Sequence, residues 1–201
     1  MRKIVVQEML TADGVMQGPG GPDEDRSDGF EYGGWQGAYE MDEDQFQKLA
    51  DGITDADAFL LGRRTYDIFA GYWPNQADDF SFAKVMNSRP KYVVSRSLSE
   101  PLAWQNASLV QGDVVKGIRE LKNQGSGQIT VIGSGELVQT LLANDLADEL
   151  SLFVSPLVLA TGKKLFRDGL PWLNLELLDS LTSAQYGSQW LRFRPTVKMS
   201  S

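Results

Sequence analysis

Short apolar runs alternate with amphipathic stretches along most of the chain. Runs rich in aliphatic and β-branched residues predict buried strands at Arg2–Leu10, Ala58–Leu61, Tyr92–Val94, Leu109–Val110, Ile129–Ile132 and Leu150–Leu159. Apolar positions at helical spacing predict helices at Met41–Ile53, through Tyr66 and Phe69, at Asp79–Asn87, at Asp113–Asn123 and after Gly135. Two strand-like runs, Leu173–Leu181 and Gln185–Arg194, predict a terminal hairpin that turns near Ser183.

This order of elements predicts an α/β fold with a largely parallel sheet and an antiparallel hairpin at one edge. Pro156 falls inside the run Leu150–Leu159, where we expect a bend or an edge strand. The sequence contains no internal repeat and no long linker, so we expect residues 1–201 to form a single domain.

One stretch, Gln17–Gly37, breaks the pattern. Its sequence, QGPGGPDEDRSDGFEYGGWQG, is rich in glycine, proline and acidic residues and has no periodicity, which predicts a long loop. We call residues 17–37 the acidic loop. Long loops in compact domains are often lids, and Phe30, Tyr32 and Trp35 could fold over a ligand. The same rings could instead pin the loop to the core, and the sequence leaves both alternatives open.

Composition excludes several kinds of chemistry. The chain has 19 basic and 27 acidic residues and a net charge of -8, which argues against a nucleic-acid surface. It has no histidine and no cysteine, so catalytic triads, thiolate nucleophiles and zinc sites with such ligands are excluded, and we expect no metal. The N-terminus is too polar for a secretory signal and no segment is apolar enough for a membrane span. We expect a cytoplasmic protein that binds neither membranes nor nucleic acid.

Three predicted strands end in residues that favour anions. These strand ends are Gly62-Arg63-Arg64-Thr65, Ser95-Arg96 and Gly133-Ser134-Gly135. Free N–H groups at a helix start bind phosphate, and open α/β sheets bind ligands at the carboxyl ends of their strands. Three such points suit a dinucleotide, and the arginines favour NADP over NAD. Gly133–Gly135 lacks the full dinucleotide fingerprint, and alone it could simply be a connection that needs glycine.

The predicted helix Met41–Ile53 carries a candidate carboxylate. Asp42 lies four residues before Phe46 and therefore on the same face as the apolar positions. That position suits a group that handles a proton at a binding site. Asp42 could equally be the N-cap of the helix, stabilised by the helix dipole.

Together these motifs resemble a known family. The motifs that carry the resemblance are Thr11-x-Asp13-Gly14, Gly62-Arg63-Arg64-Thr65-Tyr66, Val94-Ser95-Arg96, Ile132–Gly135, Leu146–Leu150 and Pro156. Their order along nearly the whole chain is similar to that of the dihydrofolate reductase-like superfamily, and most closely to its bacterial branch related to the reductase domain of the riboflavin-biosynthesis deaminase/reductase.

The resemblance implies a three-layer α/β/α fold with a central, mostly parallel eight-stranded sheet, and NADPH as hydride donor. By position, Arg63, Arg64 and Thr65 would hold the 2′-phosphate and pyrophosphate. Ser95 and Arg96 would hold the phosphate on the adenosine side. The pyrophosphate would also contact Gly133, Ser134, Gly135, Glu136 and Leu137.

The resemblance also implies roles around the substrate. Gly14 to Gln17 would form a mobile loop beside the nicotinamide, with Asp13 at its hinge. Phe46 would flank a flat heterocycle. Asp42 is the nearest match to the carboxylate that binds the pterin ring in dihydrofolate reductases, and Asp44 is a second choice.

We therefore expect an NADPH-dependent reductase that transfers a hydride to a C=N or C=O group of a small pteridine- or pyrimidine-like heterocycle. The alternatives are a true dihydrofolate reductase and a non-catalytic nucleotide-binding module. Without histidine and cysteine the chain cannot contain the zinc motif of the deaminase. No cluster clearly suits a ribose phosphate, since Lys163-Lys164 is poorly placed. Relatives of the riboflavin branch are commonly dimers, and the terminal hairpin could supply a homodimer interface.

Overall fold

A computed structural model describes residues 1–39, 41–77 and 81–197. Eight strands follow one another as β1 (Lys3–Thr11), β2 (Ala56–Gly62), β3 (Lys91–Val94), β4 (Ala107–Leu109), β5 (Gln128–Ile132), β6 (Glu149–Ser155), β7 (Leu173–Thr182) and β8 (Gln189–Val197). The helices are α1 (Glu43–Thr54), α2 (Arg63–Tyr72), α3 (Ser81–Ser88), α4 (Val114–Asn123) and α5 (Gly135–Ala143). Asp79, the predicted start of the third of these helices, lies outside the described residues.

The strands form one sheet in the order β4-β3-β2-β5-β1-β6-β8-β7. Strand β8 runs antiparallel to both β6 and β7, and the other described pairs are parallel. The predicted mostly parallel eight-stranded sheet with an antiparallel C-terminal hairpin is therefore confirmed.

The largest errors in the predicted strand boundaries, four residues each, are at the end of β6 and the start of β8. Strand β6 stops at Ser155 instead of Leu159, because Pro156 has no N–H to donate and the Leu157 N–H turns back to the Ser155 carbonyl. Strand β8 begins at Gln189 instead of Gln185, because the chain is still turning at Gly187, whose N–H donates to the Ser183 carbonyl.

Helices cover both faces of the sheet, as the alternation of strand β2 illustrates. Ala58 and Leu60 belong to the buried cluster that contains α4 and α5, whereas Phe59 and Leu61 belong to the cluster that contains α1, α2 and α3. All four of these side chains are fully buried. The result is the predicted three-layer α/β/α arrangement. No described helix is both long and apolar enough to cross a membrane.

The strand order matters for function because β3, β2, β5 and β1 are consecutive neighbours and parallel. Their carboxyl ends therefore lie at one edge of the sheet. The three strand ends predicted to hold anions follow β3, β2 and β5, and the end of β1 lies next to them.

Candidate functional site

A cleft of about 1550 Å³ opens at this edge of the sheet. Its walls include the turns that follow β3, β2 and β5, the end of β1, one side of α1, and the acidic loop. Pockets for single small ligands usually occupy roughly 300–1,000 Å³. The cleft is therefore large enough for an extended cofactor and a second small molecule.

The turns after β2 and β5 are joined directly. Ser134 Oγ accepts a hydrogen bond from the Gly62 N–H at 2.9 Å and donates one to the Ile132 carbonyl at 3.2 Å. Gly133 has a φ of 60°, and a Cβ on it would lie 3.0 Å from Thr65 Oγ1. Ser134 itself is left-handed, with φ 67° and ψ 41°, a conformation that costs a non-glycine residue about 1–3 kcal/mol. The contact between the turns therefore requires glycine at position 133 and holds Ser134 in a strained conformation.

Two helices begin at this edge without a side-chain cap. Helix α2 starts after Gly62 and helix α5 after Ser134, and no side chain among the described residues accepts a hydrogen bond from their first N–H groups. By contrast, α1 and α4 are capped by Asp42 and Asp113. Uncapped helix N-termini carry a partial positive charge and free donors. Here two of them face one cleft, an arrangement suited to a phosphate or pyrophosphate.

Several basic side chains surround these helix starts. Arg63 pairs with Asp67 one turn along α2, at 2.7 Å. Arg64 donates to Ser27 Oγ of the acidic loop at 2.5 Å. Arg96 is exposed and lines the cleft at the end of β3. The neighbouring Ser95 uses its hydroxyl within its own turn, where Oγ accepts the Ser97 and Leu98 N–H groups.

The remaining predicted cofactor residues lie in different settings. Thr65 is buried and lines the cleft. Leu137 is buried and lines it too, while Glu136 is exposed and pairs with Arg167 at the cleft wall. Gly14 lies outside the lining residues, in a turn with φ 82°. Beside it, Asp13 accepts from Thr11 Oγ1 at 2.6 Å, which keeps the pKa of Asp13 below its usual value.

Gln17 holds the acidic loop together. Its buried amide donates to the Asp25 and Ser27 carbonyls at 3.2 and 3.0 Å and accepts from the Lys163 N–H at 3.0 Å. The backbone carbonyl of Gln17 accepts a hydrogen bond from Trp35 Nε1 at 2.8 Å. The side chain of Gln17 therefore organises the cleft wall, and the predicted contact of Gln17 with the cofactor stays a prediction.

The structure supports the second alternative for the acidic loop, in which the rings pin it to the core. Phe30 and Trp35 are buried in a small cluster with Val15. Tyr32 is exposed and packs against Phe30. None of the three rings lines the cleft, whereas the stretch 18–25 does. The loop therefore forms part of the cleft wall, and its role as a lid stays a prediction.

A polar cluster fastens the middle of the acidic loop to the basic side of the cleft. Asp25 accepts from Lys163 Nζ at 2.7 Å and from Ser27 Oγ at 2.5 Å, and Arg64 lies 3.5 Å from its carboxylate. Partial burial raises the pKa of Asp25, but the hydrogen bonds from Lys163 and Ser27 outweigh it and lower the pKa to about 2. Asp25 is therefore a stable carboxylate next to the arginine predicted to hold phosphate.

Glu8 is the carboxylate that the structure places at the end of β1. It is 4% exposed, lines the cleft, and has one oxygen, Oε1, with no hydrogen-bond partner in the described part of the chain. Burial raises the pKa of Glu8 well above its usual range, the Gly133 N–H opposes this, and the charge of Glu24 adds to it. Glu8 therefore holds its proton to a higher pH than an exposed glutamate.

The sequence contains the information that points to Glu8. Ile4, Val6 and Leu10 alternate along β1 and pack into the cluster under α4 and α5. Glu8 occupies the same face, because side chains two residues apart on a strand point to the same side. A single acidic residue on the apolar face of a buried strand, near its carboxyl end, is therefore the signal in the sequence that indicates Glu8 as a site residue.

A family model described as the RibD C-terminal domain matches residues 2–188. The chain belongs to the RibD C-terminal domain family. The chain is also similar to the uncharacterised protein YyaP from Bacillus subtilis (strain 168), to which it is 27% identical over 184 residues, or 90% of this chain and 89% of YyaP.

Two solved structures share the fold of this RibD C-terminal domain. A protein from Shewanella sp. PV-4, provisionally assigned to riboflavin biosynthesis, has a TM-score of 0.73 at 19% identity, covering 96% of this chain and 99% of that one. Dihydrofolate reductase from Enterococcus faecalis, complexed with NADP(H) and RAB-propyl, has a TM-score of 0.60 at 10% identity, covering 96% of each chain. The fold is dihydrofolate reductase-like, as the resemblance predicted.

The predicted substrate residues of the RibD C-terminal domain lie away from the cleft. Asp42 is the N-cap of α1, where Oδ1 accepts the Gln45 N–H at 3.0 Å, and it is not among the lining residues. Phe46 is 51% exposed and packs against Phe82, which does line the cleft. The N-cap alternative for Asp42 describes its position. The geometry does not support a catalytic role for Asp42 or a direct substrate contact for Phe46.

Proposed function

We propose that this protein is an NADPH-dependent reductase that transfers a hydride to a small pteridine- or pyrimidine-like heterocycle. The observation that carries the proposal is the pair of uncapped helix starts, α2 and α5, side by side at a basic cleft. Family membership adds support, as does the bound NADP(H) of the Enterococcus faecalis enzyme with the same fold.

The residues of the cleft fit such a cofactor. The first N–H groups of α2 and α5 suit the pyrophosphate, and Arg64 and Arg96 suit the additional 2′-phosphate that distinguishes NADPH from NADH. In this proposal the cofactor follows the strand order β3-β2-β5-β1, with Arg96 near one end and Glu8 near the other. The nicotinamide, which would supply the hydride, would lie at the Glu8 end.

In this proposal Glu8, and not Asp42, is the carboxylate that supplies the proton. Because burial favours its neutral form, Glu8 keeps its proton to a higher pH than an exposed glutamate does, and it is the candidate proton donor. A proton-bearing group at the end of β1 can donate to a heterocycle nitrogen or oxygen as the ring is reduced. The neighbouring Gly133 N–H, in the turn after β5, partly offsets the effect of burial on the pKa of Glu8.

The test is a titration of the purified protein with NADPH and with NADH, followed by cofactor fluorescence. We expect NADPH to bind more tightly than NADH. Arg96→Gln should weaken the binding of NADPH by about ten-fold or more and change the binding of NADH little. The control is Arg119→Gln, an exposed arginine on α4 outside the lining residues. No NADPH binding at high micromolar concentration would end the proposal.

Turnover distinguishes the enzyme from the other two candidates. Oxidation of NADPH in the presence of dihydrofolate would identify a true dihydrofolate reductase. Oxidation with other pteridines or pyrimidines but not with dihydrofolate is the result we expect. Binding of NADPH without oxidation by any heterocycle would favour a nucleotide-binding module.

A further inference from the structure

Most of the arginine and lysine side chains that line the cleft are paired with carboxylates of the chain itself. The pairs are Arg63 with Asp67, Arg167 with Glu136, and both Arg64 and Lys163 with Asp25. The side chains of Asp67 and Glu136 are 42% and 85% exposed, whereas that of Asp25 is 13% exposed. Exposed ion pairs contribute little free energy. Asp25 is therefore the carboxylate with which an anionic ligand has to compete.

Two cations from different parts of the chain hold Asp25. Lys163 Nζ donates to Oδ2 of Asp25 at 2.7 Å, and Arg64 Nη1 lies 3.5 Å from both carboxylate oxygens. The hydroxyl of Ser27 accepts from Arg64 at 2.5 Å and also from Lys163. An arginine and a lysine that converge on one group of oxygens are typical of a phosphate site. Here Asp25 and Ser27 supply those oxygens.

The same cations lie where the nucleotide is proposed to bind. Arg64 belongs to the first turn of α2, the uncapped helix start that suits a phosphate. Arg64, Lys163 and Asp25 all line the cleft. A phosphate bound to Arg64 and Lys163 would lie beside the Asp25 carboxylate, and like charges repel strongly at short range. The phosphate and the carboxylate therefore exclude each other from this position.

Resting on the proposed function, we propose that Asp25 competes with a phosphate of the nucleotide for Arg64 and Lys163, so that the acidic loop weakens nucleotide binding. The competing group is the pyrophosphate or the 2′-phosphate, which NADH lacks. When the nucleotide binds, one anion replaces another on the same two cations, and Asp25 moves into solvent. The ligand thus releases the loop, whereas a lid would close over the ligand.

The test compares the affinities of NADPH, NADH and inorganic pyrophosphate for the wild type and Asp25→Asn by calorimetry. Asparagine keeps Oδ1, which accepts from the Ser27 N–H, and replaces Oδ2, which accepts from Lys163, with an amide nitrogen that only donates. The matched control is Asp23→Asn. It removes the same charge from the same loop and from the cleft wall, but Asp23 pairs with Arg26 instead.

We expect Asp25→Asn to tighten the binding of NADPH and pyrophosphate by about five-fold or more, and Asp23→Asn to change it by less than about two-fold. In an Arg64→Gln background the gain from Asp25→Asn should shrink, because Asp25 and Arg64 act through one contact. An equal gain for NADPH and NADH identifies the pyrophosphate as the competing group. A gain for NADPH without one for NADH identifies the 2′-phosphate.

Amide hydrogen exchange of the wild type tests the release of the loop without any substitution. Saturating pyrophosphate should speed exchange of the Ser27 N–H, because this group loses Asp25 as its acceptor. Unchanged or weaker binding to Asp25→Asn, unchanged or slower exchange at Ser27, or no binding of pyrophosphate at millimolar concentration overturns the inference. If pyrophosphate behaves as expected but NADPH does not bind, the proposed function is overturned and the competition between Asp25 and anions stands.

Discussion

Replacing Glu8 by glutamine should stabilise the protein and disable it. Burial raises the pKa of Glu8 above the usual 4.5, so the folded protein keeps this proton at pH values where the unfolded chain has lost it. The contribution of Glu8 to the free energy of unfolding is therefore most favourable below pH 4.5, where Glu8 is protonated in both states. This contribution is lost as the pH rises through the raised pKa of the folded state. Glutamine is neutral at every pH and avoids this loss.

The magnitude follows from the burial of the side chain. Glu8 is 4% exposed, so solvent screens it little. Each pKa unit between the folded and unfolded states corresponds to about 1.4 kcal/mol. We therefore expect the free energy of unfolding of Glu8→Gln to exceed that of the wild type by a margin that grows from pH 5 to pH 8, by about 1.4 kcal/mol for each unit by which folding raises the pKa of Glu8.

The measurement is urea unfolding of both proteins across this pH range, followed by the fluorescence of the buried Trp104 and Trp190. Glu31→Gln, a change at an exposed glutamate, is the control and should show no pH-dependent difference. A stability difference between Glu8→Gln and wild type that does not grow from pH 5 to pH 8 would refute the reasoning. NADPH should still bind to Glu8→Gln, while kcat falls by about 100-fold or more.

Three further changes test other parts of the structure. Asp25→Asn should cost about 2 kcal/mol of unfolding free energy at pH 7, because the pKa of Asp25 is lowered to about 2, and the loss should shrink as the pH falls from 4 towards 2 in urea unfolding. Gly133→Ala should lower the free energy of unfolding by at least about 1–2 kcal/mol in the same assay and weaken the binding of NADPH, because φ of Gly133 is 60° and the new Cβ would crowd Thr65. Leu177 is 54% exposed on β7, so Leu177→Lys should convert the predicted homodimer to a monomer in light scattering.

The fold could be predicted because its elements are encoded locally. Strand β2 is apolar on both faces, as a strand between two helix layers must be, and the run Ala58–Leu61 identified it. The errors occur at ends where local signals compete. Pro156 terminates β6 although apolar residues continue to Leu159, and Gln185 precedes β8 because the turn at Gly187 is longer than the pattern suggests.

The candidate site was only half predictable, for a related reason. Gly62 and Ser134 could be found singly because glycine and hydroxyl groups at helix starts have local signatures, and the sheet then brought them within hydrogen-bonding distance. Glu8 becomes a cleft residue because β1 lies next to β5, and strand order is not written in any short stretch. Asp42 precedes a predicted helix, where aspartate commonly serves as the N-cap, and in the structure it caps α1.

The adjacency of Glu24 and Asp25 has a kinetic consequence. Glu24, which lines the cleft, is joined by a single peptide bond to Asp25, which pairs with Lys163 and lies near Arg64. An anion that draws Arg64 away from Asp25 would therefore also shift the part of the cleft wall that contains Glu24. If the proposed function is right, we therefore expect the nucleotide and the heterocycle to bind in a preferred order, with the nucleotide first.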